Sequence, residues 1–230
     1  MGLRDALLDA VALLCPVECA GCGADDRFLC GQCRAVLLPD VTVHAVDQQQ
    51  VGGLRVHAAL RYELRVRRVI LAFKEHERTD VAAALAAPLT AAVRAAIAAA
   101  PGSRPVELAL VPSGRAAFRR RGYDPVLLLV RRAGGRPERV LLPARATGTQ
   151  KVLGAEDRAV NVRGAFVAAR RLDGRRFLLV DDILTSGATI AEAARAIAAA
   201  GGEVVGGATL AFTKRLLASR DNAGAEDYRG

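Results

Sequence analysis

The stretch FLLVDDILTSGATI, residues 177–190, constrains the fold more than any other part of the sequence. Its four leading apolar residues predict a buried strand, and Asp181 and Asp182 follow at the carboxyl end of that strand. A loop of small and hydroxyl-bearing residues comes next, and IAEAARAIAAAGG then predicts a helix. A strand that leads through such a loop into a helix is typical of α/β proteins, whose sites lie at the carboxyl ends of parallel strands.

The residues of this loop suit a sugar phosphate. The amino terminus of a helix exposes backbone N–H groups and the positive end of the helix dipole, which together favour phosphate. Carboxylates instead suit sugar hydroxyls, which donate hydrogen bonds to them. The alternative is an ordinary strand-to-helix turn in which the aspartates only cap the helix. The candidate phosphate-binding residues are Thr185, Ser186, Gly187, Ala188 and Thr189.

The rest of the chain extends the α/β pattern. The helix after residue 79 is predicted to pack in the core, because Pro88 and Arg94 argue against a membrane span. Residues 144–165 have no clear period between two predicted strands, and loops of that length are often lids. The other predicted elements are a strand near 54–61, a helix carrying Leu64, Val69, Ile70 and Phe73, a strand VELALVP from 106, a basic turn SGRAAFRRRGYDP, a helix near 124–133, a short strand at 140–142 and a last strand VVGGATLAF.

Five cysteines fall between positions 15 and 33, and four of them form two C-x-x-C pairs. Two such knuckles can place four thiolates around one zinc ion, and four thiolates leave no open position for a substrate. The spacing therefore predicts a structural Zn²⁺ site; a disulfide pair would need an oxidising compartment that nothing in the sequence indicates. The predicted ligands are Cys19, Cys22, Cys30 and Cys33, while Cys15 is interpreted as an apolar residue of an amino-terminal helix.

Length and charge bound the remaining possibilities. A chain of 230 residues predicts one main domain with a small appendage. The net charge is +9, and residues 115–176 carry 16 Arg or Lys against 5 Asp or Glu, which favours anionic partners for that half. The opening MGLRDALLDAVALLC is too short and too charged for a membrane span or a secretion signal, so we expect a cytoplasmic protein with no membrane span.

The chain as a whole resembles the ComF family, which is linked to DNA uptake in natural transformation. The run LLVDDILTSGAT is similar to the signature loop of type I phosphoribosyltransferases. The resemblance covers nearly the full length. It also includes the paired C-x-x-C, the segment from Tyr62 to Lys74, VPSGRAAFRRRGYD, and the pattern of Gln150, Arg158 and Asn161 before GAF.

The resemblance implies a type I phosphoribosyltransferase-like parallel sheet with helices on both faces and an amino-terminal zinc ribbon. It implies binding of phosphoribosyl pyrophosphate (PRPP) with Mg²⁺, in which Asp181 and Asp182 hold the ribose hydroxyls and the loop holds the 5′-phosphate. The implied boundaries are 1–50 for the helix and zinc appendage, 51–216 for the phosphoribosyltransferase-like domain and 217–230 for a flexible tail. The residues implied for pyrophosphate binding or the lid are Lys74, Ser113, Arg115, Arg145, Lys151 and Arg158.

Two departures from the family pattern lie on the side implied to bind pyrophosphate. The family usually shows a VPVP-type turn and RGFNQ, whereas this sequence has VPSG and RGYDP. Asp124 and Pro125 thus replace an Asn-Gln amide pair.

Three functions follow as hypotheses. The first is a PRPP-dependent phosphoribosyltransferase, for which only Tyr123 and Phe118 lie near the loop as candidates for contact with an acceptor base. The second is a non-catalytic competence factor that handles single-stranded DNA or recruits proteins of the uptake machinery. The third is a sensor that binds PRPP without consuming it.

Overall fold

The computed structural model describes residues 17–25, 27–46, 53–144 and 162–213, without the side chains of Arg115 and Ala116. The strands are β1 (Thr42–Val46), β2 (Leu54–Arg61), β3 (Glu107–Leu110), β4 (Leu141–Pro143), β5 (Phe166–Ala168), β6 (Arg176–Leu184) and β7 (Glu203–Phe212). The helices are α1 (Gly31–Ala35), α2 (Leu64–Glu75), α3 (Ala82–Ala98), α4 (Arg115–Arg121), α5 (Pro125–Arg132) and α6 (Ala188–Ala199), with a 3-10 turn at Thr79–Val81.

The main sheet has five strands in the order β1-β2-β7-β6-β3. Strands β2, β7, β6 and β3 are parallel, and β1 pairs with β2 in the antiparallel direction at one edge. Strands β4 and β5 form a separate antiparallel pair. The predicted fold class is confirmed, because the sheet is mostly parallel and carries helices on both faces.

Alternation along β6 divides the core between the two faces of the sheet. Leu178 and Val180 belong to the apolar cluster that includes residues of α2, α3 and α5. Phe177 and Leu179 belong to the cluster that includes residues of α6. Since successive side chains of a strand point to opposite faces, the two aspartates that follow also point to opposite faces.

Helix α3 accounts for the most apolar stretch of the described chain. The helical residues Thr79–Ala98 are long and apolar enough to cross a membrane by length and composition alone, with a mean hydropathy of 1.8. Core helices of globular domains pass the same test, and α3 packs on β2, β7 and α5. Its packing agrees with the prediction of a core helix.

Two local predictions need correction. The predicted basic turn after Ser113 contains helix α4, which ends at Gly122 with φ 71°. The strand predicted from the apolar residues 177–180 continues to Leu184, so both aspartates lie within β6 rather than after it.

Three predicted segments lie wholly or mostly outside the described residues: the amino-terminal helix with Cys15, the lid segment 144–165 except for residues 144 and 162–165, and the tail 217–230. The boundary between appendage and main domain at residue 50 stays a prediction. Strand β1, which precedes that boundary, joins the main sheet through β2.

Candidate functional site

The two aspartates lie side by side near the carboxyl end of β6, and one of them is paired with a lysine. Lys74 Nζ, near the end of α2, lies 2.6 Å from Asp182 Oδ2, and both side chains are largely buried. The backbone N–H of Asp182 donates to Asp181 Oδ1 at 2.8 Å. The structure therefore brings three of the predicted site residues together, from two elements that are distant in the sequence.

The surroundings of Asp181 disfavour its ionised form. Burial and the neighbouring charge of Asp182 raise the pKa of Asp181 to about 8, with Asp124 adding a smaller effect in the same direction. The N–H of Asp182 and the ammonium of Lys74 act in the opposite direction without cancelling it. The carboxyl group of Asp181 can thus hold a proton near neutral pH. A bound cation, or a ligand hydroxyl that donates a hydrogen bond, would favour its ionised form instead.

The loop after β6 has the backbone of an anion site. Gly187, the N-cap of α6, has φ 80°, and its carbonyl accepts the N–H of Ala191 at 2.9 Å. Thr185 and Ser186 are exposed to solvent, whereas Gly187 is buried. The loop therefore presents hydroxyl groups and the amino terminus of α6 at the same edge of the sheet as the aspartates.

Strand β1 supports this loop from behind. A Cβ at Gly187 would lie 2.7 Å from each Cγ atom of Val46, which is shorter than real Cβ contacts. Gly187 is thus required both by its positive φ and by its close approach to β1. Sequence reasoning missed Val46; the apolar–polar alternation of TVHAV was the available signal for a strand.

The residues predicted on the pyrophosphate side are only partly described. Ser113 is half-buried between β3 and α4, and Arg115 is the first residue of α4. Arg145, Lys151 and Arg158 lie outside the described residues, as do Gln150 and Asn161.

The departure at positions 124 and 125 has a local physical cause. Asp124 is the N-cap of α5 and accepts the N–H of Leu127 at 3.1 Å, and Pro125 occupies the first turn, where no N–H is needed. The two residues therefore start a helix beside the aspartate pair.

The two aromatic candidates differ in their surroundings. The hydroxyl of Tyr123 donates to the carbonyl of Phe73, and the two rings pack with centroids 5.7 Å apart. Phe118 on α4 is 45% exposed. Phe118 is therefore the one of these two that presents an open ring to solvent.

The four predicted cysteines form a compact cluster. Their Sγ atoms all lie within 4.8 Å of one another, and Cys22 Sγ lies 3.7 Å from Cys30 Sγ. Tetrahedral coordination with metal–sulfur bonds of about 2.3 Å would place sulfurs about 3.8 Å apart, so these side chains fit one metal ion. Backbone N–H groups also face sulfur, from Cys30 to Cys19 at 3.3 Å and from Cys33 to Cys30 at 3.5 Å.

These N–H groups affect the thiols directly. Burial alone would raise the pKa of the Cys19 thiol, but hydrogen bonds from the backbone of Cys30, Cys22 and Gly21 lower it to about 6. Burial raises the pKa of Cys33, and its hydrogen bonds to the neighbouring thiols add to that effect. A shared cation would be needed to hold all four sulfurs as thiolates.

The cysteine cluster packs on α2, the helix that carries Lys74. A Cβ at Gly21 would meet Cys33 Sγ at 2.6 Å and Val69 Cγ2 at 3.2 Å, so the knuckle lies directly against this helix. Cys19 and Cys33 belong to the same apolar core as Val69. The cluster and the aspartate pair therefore share one supporting helix.

Arg78 ties the cluster to the segment after α2. Its guanidinium donates to the carbonyls of Glu18 and Phe28, and to the carboxylate of Asp80. Sequence reasoning missed Arg78, because one arginine among many carries no distinguishing signal.

Comparison with known proteins agrees with this architecture. Residues 144–228 match the phosphoribosyl transferase domain. The DNA utilization protein YhgH of Escherichia coli K12 is 27% identical over 191 residues, which cover 79% of this chain and 82% of the relative. YhgH of Salmonella typhimurium LT2 is 27% identical over 188 residues, covering 79% of this chain and 76% of the relative.

Proposed function

We propose that this chain is a ComF-like protein that binds PRPP with Mg²⁺ through the loop DDILTSGAT and transfers its phosphoribosyl group. The match of residues 144–228 to the phosphoribosyl transferase domain and the similarity to YhgH support this proposal. The observation that carries the proposal is the unit of β6, loop and α6. It sets two carboxylates on a strand beside a glycine-capped helix terminus, as a sugar bearing a phosphate requires.

Each part of the ligand has residues suited to it. Asp181 and Asp182 accept hydrogen bonds from the ribose hydroxyls, and residues 185–189 hold the 5′-phosphate with backbone N–H groups and hydroxyls. Mg²⁺ would supply charge neutralisation on the pyrophosphate. Lys74 lies 2.6 Å from Asp182 and keeps a positive charge beside the sugar.

Phosphoribosyl transfer places few covalent demands on the protein. The bond between the anomeric carbon and pyrophosphate breaks, a nucleophile takes the position of the leaving group, and positive charge develops on the ribose. The aspartates orient the ribose during this change, while Lys74, Ser113, Arg115 and the basic segment containing Arg145, Lys151 and Arg158 stabilise departing pyrophosphate. The acceptor would approach from the side of Phe118.

The cysteine cluster completes the proposal as a structural zinc site. Four sulfurs with facing N–H groups suit Zn²⁺ and leave no position for a substrate. We place the protein in the cytoplasm, where thiols remain reduced and PRPP would be available.

A calorimetric titration tests the proposal. Zinc-loaded protein is titrated with PRPP in the presence of Mg²⁺, alongside Asp182→Asn and the control Asp173→Asn, an exposed carboxylate paired with Arg171. We expect the wild type and the control to bind and Asp182→Asn to lose at least tenfold in affinity. Absence of binding by the wild type would overturn the proposal. Release of pyrophosphate with candidate acceptors then separates a transferase from a PRPP sensor.

Handling of single-stranded DNA is the second candidate function. It is favoured by the basic residues 115–176 and by exposed Phe118 on α4 among Arg119, Arg120 and Arg121. Binding of an oligonucleotide that weakens steeply with salt, and weakens further in Phe118→Ala, would support direct contact. Binding without salt dependence would instead favour recruitment of a partner protein.

A further inference from the structure

Thr209, on strand β7, has a hydroxyl group whose surroundings do not satisfy it. The residue is fully buried, and Thr209 Oγ1 has no hydrogen-bond partner among the residues that the structure describes. A buried hydroxyl without a partner is costly, so such groups usually have a partner in some state of the protein.

The register of the sheet places Thr209 beside the ribose site. Thr209 is the direct neighbour of Asp181 on β6 and of Ala58 on β2. Side chains of register partners in parallel strands point to the same face, about 4.8 Å apart. Of these two neighbours of Thr209, Ala58 has only a methyl group, so Asp181 is the one whose side chain can accept a hydrogen bond from the Thr209 hydroxyl.

We propose that Thr209 is a positioning residue for the ribose site, whose hydroxyl donates a hydrogen bond to Asp181 Oδ2 when this carboxylate is ionised. Asp181 Oδ1 already accepts the N–H of Asp182 at 2.8 Å. A donor on the second oxygen would fix the plane of the carboxylate and so aim it at the sugar. The ribose part of this inference rests on the proposed function.

The charged groups around Asp181 do not already supply the hydrogen bond that we assign to Thr209. They are Asp182 on the same strand, Lys74 on α2 and Asp124 at the start of α5. Lys74 already pairs with Asp182, and the other two groups are carboxylates that disfavour a charge on Asp181. A neutral hydroxyl on β7 therefore provides a donor that the ionised carboxylate lacks from its charged neighbours.

The test compares Thr209→Val, which keeps the shape and removes the hydroxyl, with Thr209→Ser, which keeps the hydroxyl. The carboxyl carbon of Asp181 is followed by carbon-13 NMR against pH in the full zinc-loaded chain without ligand, and Asp181→Asn identifies its signal. Loss of a hydrogen bond to the ionised form should move the Thr209→Val midpoint upward by about one pH unit. The midpoint in Thr209→Ser should stay near that of the wild type.

A midpoint unchanged in Thr209→Val would overturn the inference. The second measurement is PRPP affinity with Mg²⁺, which should fall about tenfold in Thr209→Val and much less in Thr209→Ser. A shifted midpoint with unchanged affinity would remove the positioning role. If the wild type fails to bind PRPP, the proposed function fails, while the NMR titration still decides whether Thr209 bonds to Asp181.

Discussion

At the scale of single residues, Asp181 is a carboxyl group on a buried strand, where its ionised form is disfavoured. Its neighbours Phe177 to Val180 on β6 are apolar and buried, and it lies near the carboxyl end of the same strand, where we propose the ribose binds. Burial and the charge of Asp182 raise the pKa of Asp181 to about 8 in the folded protein, from about 3.8 for a free aspartate. The fold therefore holds a proton that the unfolded chain releases at neutral pH.

Asp181→Asn should therefore stabilise the ligand-free protein in a pH-dependent way. A raised pKa means that wild-type stability falls as pH rises from about 4 to about 8, since the unfolded chain ionises first. The advantage of the variant in free energy of unfolding should be small at pH 5 and reach about 1–3 kcal/mol at pH 8. Urea denaturation at both pH values measures it. A constant difference across this range, or the same trend in Asp173→Asn, would contradict the prediction.

Gly187 offers a second test at this scale, through its contact with Val46. Gly187→Ala should cost about 1–3 kcal/mol of stability, because its φ is 80° and its Cβ would lie 2.7 Å from each Cγ atom of Val46. The double variant with Val46→Ala removes the two closest atoms, leaves the Cβ of residue 46 at 3.3 Å, and keeps the backbone strain. Its loss should be smaller than the sum of the two single losses by at least about 0.5 kcal/mol. Denaturation of all four proteins completes the cycle, and strict additivity would mean that β1 does not support the loop.

At the scale of elements, the predictable parts are those with long or strongly apolar patterns. Strand β2 matches its predicted bounds, and β6 extends its predicted run at both ends. The sequence predicts a basic turn where α4 lies, although RAAFRRR consists largely of good helix formers and is followed by Gly122 in the left-handed region. Strand β1 was missed because a five-residue edge strand has only a weak alternation.

Helix α2 and the cysteine knuckle depend on one small residue between them. Gly21→Ala should weaken zinc binding about tenfold, because the new Cβ would lie 2.6 Å from Cys33 Sγ. The matched control is Gly31→Ala, whose Cβ has no heavy atom within 4 Å and whose site is the first position of α1. Competition against a zinc chelator measures both affinities. Equal affinities in the two variants would show that the knuckle tolerates a methyl group there.

At the scale of the whole molecule, the described residues around the four cysteines share an apolar cluster with the helices on one face of the sheet. The paired C-x-x-C and the strand-loop-helix unit were recognisable because each is a local pattern with fixed spacing. Their packing was not, since it depends on contacts between residues far apart, such as Val69 with the knuckle and Lys74 with Asp182. Cys19, Leu29, Cys33 and Leu37 lie in the same apolar cluster as the helices that cover the sheet.

Metal removal should therefore affect the entire chain. If the cysteine cluster were an independent unit, chelation would unfold it alone and leave the melting temperature of the sheet unchanged. Because its core is continuous with that of α2 and α3, we expect a single calorimetric transition that moves down by about 5 °C or more on removal of zinc.

Metal removal should also affect the proposed ribose site through α2, because Val69 of this helix contacts the knuckle and Lys74 pairs with Asp182. PRPP affinity should fall in the zinc-free protein and return when zinc is restored under reducing conditions. Lys74→Met provides the internal comparison: it removes the pair with Asp182 while leaving Val69 and the knuckle in place. If α2 carries the coupling through this pair, zinc removal should weaken PRPP binding less in Lys74→Met than in the wild type. Equal losses in both proteins would mean that the metal acts on the site by another route.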